Sequence, residues 1–226
     1  MTTNQINFFE QALHTHHAHK AVHPETGKLV EYPALLKSSD GQHWEESTCK
    51  EIGCLAQGYP PNVPKGTDTI FFIKFDQIPA GWKATYLRLV VADRPTKDNP
   101  RRIRFTVGGD KIDYPGDVQT KTANLTTAKI LINSTISTPD ARFAGLDIKD
   151  FYLNTDMPWH EYMRIPINQI PDKIIELYNL KPLVHKGAVY VEICKGMYGH
   201  PVSGKLANDK LVDKLQQHTV ILSNRI

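Results

Sequence analysis

The chain has 226 residues, 40% of them hydrophobic and 23% charged, with 14 glycines and 15 prolines. This composition excludes collagen-like and broadly disordered chains and gives enough length for a real core. The formal charge of +3 (27 basic against 24 acidic residues) neither demands nor excludes a nucleic-acid partner.

No apolar run approaches the ~20 residues of a membrane span; the best is Leu87 to Ala92. The opening MTTNQINFFEQ lacks the basic and apolar regions of a signal peptide. Three cysteines, an odd number, suit reduced thiols. The expectation is a soluble intracellular protein, cytoplasmic or nuclear, with no membrane partner.

The N-terminal stretch is weakly periodic and holds five of the ten histidines: His14, His16, His17, His19 and His23. Imidazoles so grouped could hold Zn²⁺ or Ni²⁺, but no paired cysteines accompany them, and a solvated terminal tract is the simpler reading. A helix is predicted from about Gly41 to Gln57, capped by Ser38, Ser39 or Asp40, with Trp44, Ile52 and Leu55 near one face. GYPPNVPKG breaks it, giving a boundary between a lead-in (1–60) and a main domain (61–226).

Strands follow at TIFFIKF, TYLRLVVA and RRIRFTV, and Gly108-Gly109 before IDY predicts a tight hairpin. Trp82 sits in a turn and is a candidate exposed aromatic. A helix is predicted from Leu125 to about Ser137, with Leu125, Ala128, Leu131 and Ile132 inward. Then come ARFAGLDI (strand), EYMRIPI (strand), DKIIELYNL (helix), AVYVEIC (strand, with Cys194 as a core thiol) and SGKLANDKLVDKL (helix). Strands and helices without strict alternation predict an α+β fold.

Two features carry chemistry. Asp147 directly follows an apolar stretch, and a carboxylate at a strand end needs a cation, a donor or water; alone it also suits a capping aspartate. Between Arg88 and Lys111 stand seven basic residues (Arg88, Arg94, Lys97, Arg101, Arg102, Arg104, Lys111) against three acids. Strand alternation puts Arg102 and Arg104 on one face, opposite Arg101 and Ile103. Paired guanidiniums suit a triphosphate or a template strand; a charge-protected hairpin edge is the alternative.

Three blocks, RRIRFTVGGD, STISTPDARFAGLDIKDFYLNT and KGMYGHPVSGKLAND, stand in the order found in the reverse transcriptase of copia-type LTR retrotransposons. From about Leu35 to Leu215 the chain closely resembles that family. The resemblance implies the fingers and partial palm of a right-hand polymerase. It implies templated deoxynucleotidyl transfer, with an RNA or DNA primer-template, deoxynucleoside triphosphates and Mg²⁺ or Mn²⁺. It makes Asp147 the first catalytic, metal-binding aspartate and Ile148 a backbone-carbonyl metal ligand. Lys149, Asp150 and Phe151 fall where backbone amides approach the triphosphate. Tyr152 falls at the aromatic gate against the sugar, or is a core aromatic. Arg102 and Arg104 become nucleotide contacts, and Arg101, Arg102, Arg104 and Lys111 nucleic-acid contacts.

Two departures qualify the resemblance. The family carries a Gln in a loop of the form GLPQAG, where this chain has Val202 in GHPVSG, and valine supplies no amide to the nucleotide pocket. No Asp-Asp dipeptide, the family's second palm motif, occurs anywhere in the chain. A two-metal site with one carboxylate loses most of its metal affinity and charge stabilisation. The expectation is an N-terminal fragment truncated before the second catalytic motif and inactive on its own; a non-catalytic nucleic-acid-binding remnant is the alternative. GHPVSGKL also approaches a phosphate-binding P-loop, but Leu206 replaces the hydroxyl that would meet Mg²⁺.

Overall fold

The computed structural model describes residues 21–94, 100–114, 116–120, 124–143, 145 and 147–218. His14, His16, His17, His19 and Lys97 lie outside the described residues. In chain order the elements are β1 (Ala21–Val22), β2 (Leu29–Val30), α1 (Tyr32–Leu35), α2 (Gly41–Leu55), β3 (Ile70–Ile73), β4 (Thr85–Asp93) and β5 (Arg101–Val107). There follow α3 (Leu125–Ser137), β6 (Asp156–Pro166), α4 (Asp172–Leu177), β7 (Ala188–Lys195) and α5 (Ser203–His218).

β1 and β2 form a small hairpin, and the main sheet runs β3-β7-β6-β4-β5. All of its pairings are antiparallel except β4 with β6, which run parallel through Thr85 opposite Met163 and Tyr86 opposite Arg164. The architecture mixes helices with a five-stranded sheet.

α2 forms where the sequence places Trp44, Ile52 and Leu55, and all three are buried in one core with Phe105, Ile70, Met163 and Ile193. Each such aliphatic side chain contributes roughly 1.5–3 kcal/mol on burial. The described part of the lead-in, from Ala21 onward, therefore shares this core, and the Pro-rich stretch near residue 60 does not divide it among the described residues.

β5 is an edge strand, so its outward backbone groups need partners from outside the sheet. α2 supplies two of them. Ser47 Oγ donates to the Arg101 carbonyl at 2.6 Å, and a Glu51 carboxylate oxygen accepts from the Phe105 N–H at 3.1 Å. A third comes from the chain beyond β7, where the Tyr198 carbonyl accepts from the Val107 N–H at 2.8 Å.

Three local expectations are corrected. The hairpin is formed by β4 and β5, from Leu87 opposite Val107 to Asp93 opposite Arg101, while Gly108-Gly109 leads into a single 3₁₀ turn and IDY is not a strand. ARFAGLDI is not a strand at its described residues: none of them pairs with a strand of the sheet. α3 forms as predicted, with Asn124 Oδ1 capping the Thr127 N–H at 2.7 Å. Its apolar face is nevertheless open: Leu125, Ile130, Leu131, Ile132 and Ile136 are all exposed, and Ala128 is only half-buried. Its 3.6-residue pattern fixes the helix, but no described element packs against that face.

Candidate functional site

β5 alternates as its sequence requires. Ile103, Phe105 and Val107 point into the core, and Arg102 and Arg104 emerge on the opposite face. They line a cleft of about 610 Å³ with Asp147, Ile148, Lys149, Asp150, Phe151, Tyr152 and Tyr198. The stretch from 147 to 152 and the two arginines, more than forty positions apart in sequence, thus meet in space.

The 147–154 segment reaches the cleft as a tight turn. Asp150 adopts φ +52°, and its carbonyl accepts from both the Asn154 N–H and the Asn154 side-chain amide, each at 3.0 Å. Aspartate tolerates this left-handed conformation better than most residues. Asp147 itself is exposed at the cleft rather than sunk at a strand end. Lys210 of α5 donates to the Asn154 carbonyl at 2.6 Å and so ties the helix to this turn.

The far wall is built from KGMYG. Gly199, at φ +84°, lies so close to β5 that a Cβ there would stand 2.4 Å from the Val107 carbonyl oxygen. Gly109 meets the same loop, since its Cβ would stand 2.1 Å from the Gly199 oxygen. Only glycines permit this approach, and it brings Tyr198 beneath Arg104, with the guanidinium carbon 4.1 Å from the ring centroid. Tyr152 stands edge-on to Tyr198 at 5.8 Å. Tyr152 is therefore a half-buried wall of the cleft rather than a core aromatic.

The electrostatics favour an anion. Three cations (Arg102, Arg104, Lys149) line the cleft against two carboxylates, Asp147 and Asp150. Burial, with Arg104 and Arg94 alongside, pulls the Arg102 guanidinium below its ordinary value. Arg104 Nε is buried without a hydrogen-bond acceptor among the described residues. Behind the strand, burial pushes Glu51 up to about 7 against the opposing pull of the Phe105 N–H, Arg102 and Arg104.

The other expected site residues lie elsewhere. Arg101 turns to the opposite face of β5, where its Nε donates to Asp40 at 3.1 Å and its Nη1 to Asp93 at 3.4 Å. Lys111 lines a separate groove with Trp82, Tyr114 and Trp159. Val202, expected at the nucleotide pocket, is fully buried, and its N–H donates to His200 Nδ1 at 3.3 Å. The turn at Gly199 and Pro201 points it into the core, away from the cleft.

The P-loop alternative fails on topology. β7 is antiparallel to both neighbours, and Ser203 Oγ, inside the motif, is turned back to accept from the Met197 N–H at 2.9 Å. Cys194, expected in the core, is half-buried on the outer face of β7 beside His160.

Sequence reasoning missed Glu51 and Tyr198. The signal for Glu51 was available: it shares a helix face with Trp44, Thr48 and Leu55, so an acid interrupts an otherwise buried stripe. Tyr198 lies inside a motif that was recognised, but its pairing with Arg104 depends on the Gly109–Gly199 approach.

Asp147, Ile148 and Asp150 all line the cleft, which gives it two carboxylates. They do not make up the carboxylate set that a two-metal centre needs. Among the described residues, no helix is long and apolar enough to cross a membrane. Compared with protein families, with curated proteins and with solved structures, the chain has no significant match.

Proposed function

We propose that the chain is a reverse transcriptase-type domain of the copia kind, and that its cleft binds the phosphates of a nucleotide or of a primer-template. The observation that carries this reading is the convergence of Arg102, Arg104 and Lys149 with Asp147 and Tyr152 around one cavity. Paired guanidiniums recognise phosphate oxygens bidentately, the ammonium adds a point charge, and an aromatic wall gives a sugar or base a flat surface.

Asp147, with the Ile148 carbonyl, would hold a magnesium ion, which when bound neutralises charge on the phosphates. With no Asp-Asp motif in the sequence, the chain by itself binds but does not polymerise. Templated deoxynucleotidyl transfer is the activity the family resemblance implies, and it needs metal-binding carboxylates beyond Asp147. Non-catalytic nucleic-acid binding is the description of this molecule.

Two measurements on the purified chain test the reading. Primer extension on an RNA template with Mg²⁺ or Mn²⁺ is expected to give no incorporation in either the parent chain or Asp147→Ala. Incorporation lost in Asp147→Ala would overturn the inactivity and support the polymerase assignment. Binding of labelled primer-template is expected to weaken steeply with salt, with a slope that Arg102→Gln/Arg104→Gln reduces by about 2. No binding at low salt, or an unchanged slope in the double variant, overturns the cleft as a phosphate site.

A further inference from the structure

A second group of reactive side chains lies on the outer face of the sheet, on the β6–β7 ladder, and is unrelated to the cleft reading. Glu192 and Cys194 are two residues apart on β7 and share a face; His160 and Tyr162 do the same on β6. Tyr162 stands directly opposite Glu192, and the ladder is irregular between Asp156 and Glu161. That irregularity sets His160 over both β7 side chains: Nδ1 is 2.8 Å from a Glu192 oxygen and 3.8 Å from Cys194 Sγ. The three ligand atoms all lie within 4.8 Å of one another.

A cysteine–histidine–glutamate relay is ruled out by this geometry. A relay presents one ring nitrogen to the nucleophile and the other to the carboxylate. Here the same nitrogen faces both partners. Three donors converging on one point is instead the arrangement of a metal site. Bond lengths of about 2.0 Å to nitrogen and oxygen and about 2.3 Å to sulfur put tetrahedral ligand atoms roughly 3.3–3.6 Å apart. The His160–Cys194 separation of 3.8 Å needs to close by a few tenths of an ångström. The His160–Glu192 hydrogen bond needs to open by about half an ångström, a small side-chain adjustment at a half-exposed pair.

We propose that His160, Glu192 and Cys194 bind a zinc-type divalent ion on the outer face of the sheet, with water in the fourth position. The donor set, one thiolate, one imidazole and one carboxylate, selects Zn²⁺ or Co²⁺ over Mg²⁺. Two anionic ligands neutralise the dication. The Tyr162 hydroxyl donates at 3.4 Å to the same Glu192 oxygen that faces His160 and so helps to orient the carboxylate, as outer partners of metal ligands commonly do. With three protein ligands the coordination stays open on the solvent side, so the ion can exchange or take an external ligand.

The test is a Co²⁺ titration of the full chain followed by absorption, because a thiolate-to-cobalt charge-transfer band reports the cysteine and stays silent for ions held by the N-terminal histidines. The parent chain is expected to develop the band at one equivalent and to lose it when Zn²⁺ is added. Cys194→Ser is expected to abolish the band, and His160→Gln, at an exposed position, to weaken Co²⁺ binding at least tenfold with an unchanged circular dichroism spectrum. A parent chain that takes up cobalt without the band, or not at all, overturns the site. So does a band that survives in Cys194→Ser, which would locate the thiolate at Cys49 or Cys54, and so does undiminished affinity in folded His160→Gln.

Discussion

Arg104 stacks its guanidinium on the ring of Tyr198, 4.1 Å from the centroid, and thereby couples the edge strand β5 to the loop that follows β7. The contact does two things at once. It holds a cation in place at the cleft, and it ties that cation to the loop wall that carries Tyr198.

The attraction depends on the ring face rather than on the hydroxyl. Tyr198→Phe is therefore expected to keep nucleic-acid affinity within about twofold. Tyr198→Ala is expected to lower it roughly two- to fivefold, corresponding to the ~0.5–1 kcal/mol of a partly exposed cation–π pair. Fluorescence anisotropy with a labelled primer-template measures both. Equal losses in the two variants would assign the effect to the hydroxyl instead.

Glu51 links stability to pH. Its folded value is raised to about 7 by burial, so the native state binds the extra proton between the ordinary carboxylate range and pH 7. The stability contributed by the protonated form is fully present below about 4.5 and is lost as pH rises through 7. Glu51→Gln keeps an acceptor for the Phe105 N–H while removing the charge. It is expected to be more stable than the parent by roughly 2–3 kcal/mol at pH 8 and about equal to it at pH 4.5. Urea melts at the two pH values provide the comparison.

His200 acts in the opposite direction. It is buried, its Nδ1 accepts from the Val202 N–H, and desolvation lowers its value to about 4. A base depressed in the folded state gives stability that is present above its unfolded value near 6.5 and is lost as pH falls toward 4. The two slopes partly cancel in the parent, whose stability is expected to be nearly flat from pH 5 to 7. In Glu51→Gln, the histidine's acid loss is unmasked, and urea midpoints are expected to fall steadily from pH 7 to 4.5.

The elements that the sequence makes legible are those with strong local periodicity. The faces of α2 and β5 follow from spacing alone, and Arg102 and Arg104 take the common face that alternation assigns them. What pattern could not give is partnership. The apolar stripe of α3 has the spacing of a packed helix, yet packing needs a second surface, and none of the described elements provides one. The apolar run before Asp147 reads as a strand for the same reason: composition marks a segment as able to pair, whereas pairing depends on a free edge at the right distance. Val202 failed differently, because a turn set by Gly199 and Pro201 decides where its side chain goes.

The parallel contact between β4 and β6 spans only Thr85 with Met163 and Tyr86 with Arg164. β5 does not hang on this narrow seam alone: the Tyr198 carbonyl accepts from the Val107 N–H, so the chain that follows β7 also grips β5 from its outer side. The hairpin that carries Arg102 and Arg104 is therefore strapped to the rest of the sheet at two places, and the cleft lies beside the second of them.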